Sequence, residues 1–195
     1  IRSGIDNLLQ NAEGQEQIAN GLLVIETATE KLAKLNQSLL LLARLENRHF
    51  LFTETLDLSE VIRKKVQERE ETLLSKQLRL ELSLENAFFI RFHPQLAEIL
   101  VTNLLNNAIR HTSPGGSLHI SLAGSVLSIR NTAYGEALDS HQIFQRFYKS
   151  NPSSEGTGLG LAIVREICVA AGLSIQYVFN DNEHVFTIAF EQSPA

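Results

Sequence analysis

The sequence predicts an α+β protein in which a helical hairpin precedes a two-layer sandwich, a mixed sheet with helices on one face. Three observations indicate this architecture. A proline-free N-terminal stretch carries apolar residues at steps of three and four. Short segments with alternating apolar residues follow it, as is typical of strands. Between these segments lie stretches with helical periodicity, one of them directly after a glycine-rich turn.

The first 48 residues are predicted to form the hairpin, with residues 1–10 ending one helix, residues 11–14 as a turn and residues 15–46 as a second helix. The second helix has its apolar or small residues at the spacing of a seam between helices: Ile18, Gly21, Ile25, Ala28, Leu32, Leu35, Leu39 and Leu42. A helix of ~30 residues is ~45 Å long, which is too long for the chain's own core to cover. This length favours a helical bundle, and so a homodimer through these helices, over an amphipathic helix lying on the chain's own core.

Residues 49–195 are predicted to form the sandwich. Helices are expected at residues 59–75, 94–112 and about 160–172, with Ser59 as the cap of the first and Pro94 at the first position of the second. Strands are expected at residues 50–58, 78–84, 88–92, 117–123, 126–131, 174–180 and 184–191. The last two strands would form a hairpin around Asp181 and Asn182.

The composition limits the partners of the chain. The net charge of −5, with no basic run, argues against a nucleic acid partner. The sequence has no stretch of ~18 apolar residues, so membrane attachment is expected only through segments outside it. Cys168, the one cysteine, is expected to be a buried residue of an apolar helix. Because the chain has no Met, we expect it to be a fragment.

A glycine-rich motif, Gly156-Thr157-Gly158-Leu159-Gly160, stands directly before a predicted helix. Glycines let a backbone approach a ligand closely, and a helix N-terminus presents free N–H groups to phosphate. A turn without a ligand is compatible with the same motif. The spacing matches neither a Walker A loop nor a dinucleotide-binding fingerprint.

A second polar motif interrupts the apolar helix predicted at residues 94–112. Asn103 and Asn107 are four residues apart and so share one helical face, with Arg110 and His111 one turn further on. Buried asparagines are costly unless their amides are satisfied. Two amide oxygens can complete the ligand shell of Mg²⁺ beside phosphate oxygens and water, although helix capping or loop bracing would also explain them.

Three motifs occur in order: the helix motif from Asn103 to Thr112, the segment Ile143-Phe144-Gln145-Arg146-Phe147-Tyr148-Lys149, and the glycine-rich motif. Together they resemble the N, F and G2 boxes of sensor histidine kinases. The resemblance covers essentially the whole chain, because the N-terminal segment is similar to the dimerisation helices of that family. It implies a Bergerat-type ATP-binding fold and the use of ATP and Mg²⁺.

The resemblance also implies roles for individual residues. Asn107, assisted by Asn103, would coordinate Mg²⁺, and Arg110 would face the phosphates. Phe144 and Phe147 would anchor the base of an ATP lid at residues 148–155, with Lys149 near the γ-phosphate. His111 would line the nucleotide pocket. The full set assigned to ATP binding is Asn103, Asn107, Arg110, His111, Asn131, Gly135, Phe144, Phe147, Lys149, Gly156, Thr157, Gly158, Leu159 and Gly160.

The chain departs from the family pattern at the box that reads adenine. The family has Asp-x-Gly-x-Gly there, and this chain has Asn131 for the Asp and Ala133 for the first Gly, while Gly135 is kept. An Asn carbonyl can still accept from the adenine amine, with a loss of ~1 kcal/mol of charge-assisted strength. The alternative is a degenerate box in a non-catalytic module for nucleotide sensing or dimerisation.

A third option, a hydrolytic ATPase of the same fold, is disfavoured by Asn103. Hydrolytic relatives have a glutamate at this position as the base for water, and an asparagine cannot serve as one. The resemblance therefore implies an ATP:protein-histidine phosphotransferase.

None of the six histidines fits the phosphoacceptor. His49 lies beyond the seam of the second helix, and His93 and His111 bound the helix predicted at residues 94–112. The remaining three, His119, His141 and His184, are not followed by an acidic residue. We expect no catalytic residue in the chain, an acceptor histidine before Ile1, and no self-phosphorylation by this chain alone. Surface or capping roles are expected for every histidine but His111. The implied partner is a response-regulator receiver domain, and the implied location is the cytoplasmic part of a bacterial protein anchored in the inner membrane.

Overall fold

The computed structural model describes residues 2–47, 50, 52, 54–133, 136–150 and 156–190, with side chains described from residue 20 onward. It divides the chain into two compact units, Ile1–Leu40 and Leu41–Ala195. Leu42 and Leu45 are buried in the second unit, so the end of the first helix belongs to that unit's core. Among the described helices, none is both long enough and apolar enough to cross a membrane.

A single helix, α1, runs from Arg2–Glu46, so the predicted hairpin with a turn at residues 11–14 is wrong. Those four residues contain no proline, and one glycine inside a helix costs only about 1 kcal/mol relative to alanine. Good helix formers on both sides offset that cost. Several large apolar side chains of the first unit are exposed: Leu22, Leu23, Val24, Ile25, Leu32, Leu39 and Leu40.

The second unit is a mixed sheet with helices on one face, as predicted. Its elements are β1 (Thr55–Asp57), α2 (Leu58–Gln67), α3 (Glu70–Ser75), β2 (Arg79–Leu84), β3 (Phe89–Arg91), α4 (Pro94–His111), β4 (Ser117–Ala123), β5 (Val126–Thr132), α5 (Gly160–Ala170), β6 (Ile175–Asn180) and β7 (Glu183–Ala189). The main sheet has the order β2-β4-β5-β7-β6. β2 lies parallel to β4, and the other neighbours are antiparallel.

Two local predictions need correction near β1. The helix predicted at residues 59–75 is two helices, α2 and α3, and its cap is Asp57, whose Oδ1 accepts from the Ser59 backbone N–H at 2.9 Å. The strand predicted at residues 50–58 is limited to β1 within the described residues, and it pairs with β3 in a separate two-stranded sheet. The carboxylate is the better cap because it also accepts from the Phe88 backbone N–H at 2.9 Å.

The core lies between the main sheet and the helices α4 and α5. Alternate residues of β4, β5 and β7 are buried on the face that the helices cover, in agreement with the period of two in their sequences. Pro94 begins α4, as predicted. The β6–β7 hairpin turns at Asp181 and Asn182, which both have positive φ values of 49° and 64°, as a type I′ turn requires.

Candidate nucleotide site

Helix α4 presents the two candidate metal ligands one turn apart. The Asn103 side chain donates its amide N–H to the Ile99 carbonyl at 2.9 Å, which leaves Oδ1 free to accept or to coordinate. The neighbouring Asn106 has a different role, because its Oδ1 accepts from the Arg69 guanidinium at 2.9 Å. Asn107 is half-buried, with no hydrogen bond from its side chain to another described residue. Of the three amides, those of Asn103 and Asn107 are therefore the ones available to a cation.

The glycine-rich turn lies against α4 and against the segment that contains Phe147. A Cβ at Gly156 would be 2.5 Å from Nη1 of Arg110, and a Cβ at Gly160 would be 3.0 Å from Oδ1 of Asn103. At Gly158 a Cβ would be 2.7 Å from the Phe147 carbonyl carbon. The contacts of Gly156 and Gly160 with α4 bring together residues that lie about fifty positions apart in the sequence. At Gly158 the neighbouring atoms belong to the backbone, so a larger residue there would require the backbone to move.

Helix α5 begins at Gly160 without a side-chain cap. The Thr157 hydroxyl is 3.4 Å from the Leu159 backbone nitrogen, which is long for a hydrogen bond. The N–H groups of the first helical turn and the positive end of the helix dipole are thus available to an anion. Leu159 itself is fully buried, so it can serve a ligand only through its backbone.

The two phenylalanines of the middle motif are held in different ways. Phe144 packs edge to face on Phe186 of β7, with 6.5 Å between ring centroids. The Phe147 side chain is 56% exposed, and its backbone makes the contact instead: its N–H donates to the Gly158 carbonyl at 2.9 Å, with φ at 66°. Lys149 is half-buried. Most of the expected lid and Gly135 lie outside the described residues.

Asn131, near the end of β5, is completely buried. Its Oδ1 has no hydrogen-bond partner among the described residues, and its amide nitrogen is a long 3.4 Å from the Thr132 carbonyl. A buried acceptor without a donor costs about 1–3 kcal/mol, so the position favours a ligand that supplies an N–H group. Ala133, in place of the family's glycine, is buried beside it.

His184 lies beside Asn131 in the sheet, and its burial was not predicted from the sequence. A surface or capping role was expected, but the side chain is 6% exposed and faces the core from β7, directly across from Asn131. Its Nδ1 is 2.8 Å from the Tyr177 hydroxyl, and that hydroxyl accepts from the Leu138 backbone N–H at 3.0 Å. The alternation of His184 with Phe186 and Ile188 was the signal in the sequence, because all three share the buried face.

Two histidine rings in this region are held neutral at neutral pH. Burial lowers the pKa of His184 below its usual 6.5. Burial also lowers the pKa of His111, with further contributions from the charges of Arg110, His184 and Lys76. A neutral ring can stack on a heterocyclic base or exchange hydrogen bonds with it at little desolvation cost.

The chemistry of the donors fits a hard cation held mainly by phosphate. The described residues contain no group of three or more His, Cys, Asp or Glu side chains that could hold a metal ion. The amide oxygens of α4 are the ligands on offer, and a shell of one or two protein oxygens, phosphate oxygens and water suits Mg²⁺.

An unpaired buried acceptor and an uncapped helix N-terminus are groups to which a nucleotide could offer its base and its phosphates. The profile of the family described as histidine kinase-, DNA gyrase B-, and HSP90-like ATPase matches residues 93–193, and the chain belongs to this family.

Similar proteins include sensor kinases. The sensor protein kinase PmrB of Pseudomonas aeruginosa is 33% identical over 164 residues, which are 80% of this chain and 34% of PmrB. The heme sensor protein HssS of Staphylococcus aureus is 31% identical over 169 residues, 84% of this chain and 36% of HssS. The chain thus spans about a third of the length of these relatives.

Solved structures agree with the fold. The Acinetobacter baumannii histidine kinase AdeS has a TM-score of 0.70 at 29% identity, covering 85% of this chain and 81% of that one. The mycobacterial sensor histidine kinase MprB, at 23% identity, has a TM-score of 0.61 over 73% of this chain and 99% of that one. The predicted fold class, a Bergerat-type domain preceded by helix, is thereby confirmed, apart from the hairpin.

Proposed function

We propose that the chain is the ATP-binding part of a sensor histidine kinase. It binds Mg-ATP so that the γ-phosphoryl group can pass to a histidine outside this sequence and then to an aspartate of a response-regulator receiver domain. The observation that carries the proposal is the close approach of Asn103 and Arg110 on α4 to the glycine-rich start of α5. This approach gathers amide oxygens, a guanidinium and free backbone N–H groups at one place, as a triphosphate requires.

Each group has a distinct task in this mechanism. The backbone N–H groups at the start of α5 bind phosphate oxygens, and Arg110 contributes positive charge where negative charge spreads during transfer. Asn107, with Asn103 beside it, would hold Mg²⁺, which would offset the negative charge of the phosphates. Asn131 accepts from the amine of the base. Phosphoryl transfer needs positioning and charge stabilisation more than covalent help, and these residues supply both.

Transfer is favoured over hydrolysis by the chemistry of position 103. A hydrolytic site needs a base that takes a proton from water, and the Asn103 amide is not basic. Its nitrogen donates to the Ile99 carbonyl, which fixes the side chain with Oδ1 toward Gly160. A slow hydrolysis background is therefore expected.

The first unit supports dimerisation. Its helix exposes large apolar side chains, including Ile25, Leu32 and Leu39, at seven-residue intervals. That spacing is typical of a helix that packs on other helices, and the partner proposed is a second copy of the chain. The cytoplasmic location of an inner-membrane protein belongs to the same proposal and rests on the likeness to sensor kinases.

A second candidate function is a nucleotide-sensing module without catalysis. Asn131 and Ala133 support it, because the family's adenine-reading box has an aspartate and a glycine at these positions. Binding alone does not separate the two candidates; phosphorylation does.

Calorimetric titration with Mg-ADP tests the binding step. The Asn107→Ala variant should bind Mg-ADP at least tenfold more weakly than the wild-type chain, because a metal ligand is lost, and the difference should shrink when EDTA replaces Mg²⁺. Asn106→Ala is the matched control: it removes an amide from the adjacent position, where the partner is Arg69. No heat from the wild-type chain at millimolar nucleotide, or equal affinities for both variants, would contradict the proposal.

A further inference from the structure

The polar pair Asn131 and His184 lies at one end of the otherwise apolar buried face of β5 and β7. The two residues are direct cross-strand partners, and both point to the face that the helices cover. Side chains of directly opposed residues have Cβ atoms about 4.5–5.5 Å apart. The pair does not satisfy itself, since Oδ1 of Asn131 has no partner among the described residues.

The hydrogen bonds around His184 are compatible with a ring proton on Nε2. The Tyr177 hydroxyl oxygen accepts from the Leu138 backbone N–H, and its own proton can be donated to Nδ1 of His184 at 2.8 Å. With Nδ1 as the acceptor, the proton of the neutral ring sits on Nε2. The ring is kept neutral by burial, which lowers its pKa. In this tautomer His184 offers an N–H donor on the strand position directly opposite the acceptor of Asn131.

An acceptor beside a donor is complementary to the Watson–Crick edge of adenine but not to that of guanine or hypoxanthine. Adenine presents a 6-amino donor next to the N1 acceptor on its Watson–Crick edge, whereas guanine and hypoxanthine present an O6 acceptor next to an N1–H donor. Buried polar groups reject a ligand with the inverted pattern, because both partners remain unpaired.

Resting on the proposed function, we infer that His184 is a specificity-determining residue of the nucleotide site: its Nε2–H donates to N1 of adenine while Asn131 Oδ1 accepts from the 6-amino group. Tyr177 is the positioning residue, because its hydroxyl selects the tautomer. In this arrangement β7 supplies a hydrogen-bond donor for the base. The donor lies next to Asn131, whose amide oxygen is a weaker acceptor than a carboxylate oxygen.

A structural role for His184 makes a different prediction. The ring also packs against Phe179, at 5.3 Å between centroids, and against Tyr177, at 5.8 Å. If this packing were its whole role, replacing it would affect every nucleotide equally. The test therefore needs a ligand that lacks only the N1 acceptor.

The experiment is calorimetric titration of the wild-type chain and of His184→Phe and His184→Gln with ADP and 1-deaza-ADP, in which N1 is replaced by C–H. The wild-type chain should bind 1-deaza-ADP about five- to tenfold more weakly than ADP. In His184→Phe the ADP affinity should fall and the preference should vanish, because the donor is gone. His184→Gln, whose amide can donate, should recover part of the preference. IDP should bind more weakly than 1-deaza-ADP to the wild-type chain, since it inverts both groups.

Two results would overturn the inference. One is a wild-type chain that binds ADP and 1-deaza-ADP equally; the other is a His184→Phe variant that weakens both ligands but keeps their ratio. Failure of the wild-type chain to bind ADP at all would instead refute the proposed function. Should the variants not fold, ¹⁵N spectra of the wild-type imidazole decide: the Nε2–H tautomer should be present and Nε2 should shift with ADP but not with 1-deaza-ADP. An Nδ1–H tautomer in the ADP complex would contradict the assignment.

Discussion

Replacement of Gly158 by alanine should damage both the stability and the nucleotide affinity of the chain. The residue has φ of 70°, and an added Cβ would lie 2.7 Å from the Phe147 carbonyl carbon, 2.8 Å from the Phe147 Cα and 2.9 Å from the Tyr148 carbonyl oxygen. All three atoms belong to the backbone, so no side chain can move aside. The change also threatens the hydrogen bond from the Phe147 N–H to the Gly158 carbonyl.

Gly172 provides a matched control for the size of this effect. It has φ of 72°, yet an added Cβ would meet nothing within 4 Å. Gly172→Ala therefore measures the conformational cost alone, about 1 kcal/mol. Gly158→Ala should lose that amount plus about 1–3 kcal/mol from overlap, or relieve the overlap by moving the turn.

Two measurements on both variants detect either response, a loss of stability or a displaced glycine-rich turn. Urea unfolding gives the free energy of unfolding, and titration with Mg-ADP gives the affinity. Gly158→Ala should bind Mg-ADP at least tenfold more weakly than the wild-type chain, while Gly172→Ala should bind it normally. A Gly158→Ala variant that unfolds like Gly172→Ala and also binds Mg-ADP with wild-type affinity would contradict the expected backbone overlap.

Two further predictions follow from buried titratable groups. Burial lowers the pKa of His184 in the folded chain. At pH below about 6.5 the unfolded chain therefore binds more protons than the folded chain, and the free energy of unfolding should fall as the pH is lowered. Urea unfolding at about pH 7 and pH 5.5 should show a smaller fall for His184→Phe than for the wild-type chain, and an equal fall would contradict this. The Cys168 thiol is buried, and burial raises its pKa to about 12. Ellman's reagent should therefore react with this thiol only as fast as the chain unfolds. Rapid reaction of the folded chain would contradict the burial of the thiol.

Periodicity in the sequence predicted the sheet well. The strand predicted at residues 117–123 matches β4, and the one predicted at residues 126–131 ends one residue before β5 does. These strands are central, so one face is fully buried and the alternation is clear. The edge strand β2 has weaker burial, with Leu80 and Leu82 about two-fifths exposed, but its strict leucine alternation was sufficient.

The predictions that failed depended on competition between local signals. Residues 11–14 contain turn-forming Asn and Gly, but helical residues on both sides carry α1 through them. Ser59 and Asp57 are both good caps in isolation, and the tertiary contact with Phe88 decides for Asp57. Sequence spacing alone could not weigh these contributions.

The motifs of the candidate site could be recognised in the sequence, but the contacts between residues of different motifs could not be predicted from it. The family resemblance led us to propose Asn107 and the glycines as site residues, whereas the approach of Arg110 to Gly156 depends on how α4 and α5 pack. His184 was overlooked because no motif contains it. Its importance follows from the register of β5 and β7, which places it opposite Asn131 and which no local pattern reveals.

The central claim, ATP-dependent phosphorylation of a histidine, is tested most directly with γ-phosphate-labelled ATP. The complete protein should acquire label that is stable to alkali and labile to acid, as phosphohistidine is, and the Asn107→Ala variant of the same protein should acquire at least tenfold less. This chain alone should remain unlabelled while it binds ATP. A complete protein that binds ATP without acquiring label would contradict the kinase and leave the nucleotide-sensing module as the function of this fold.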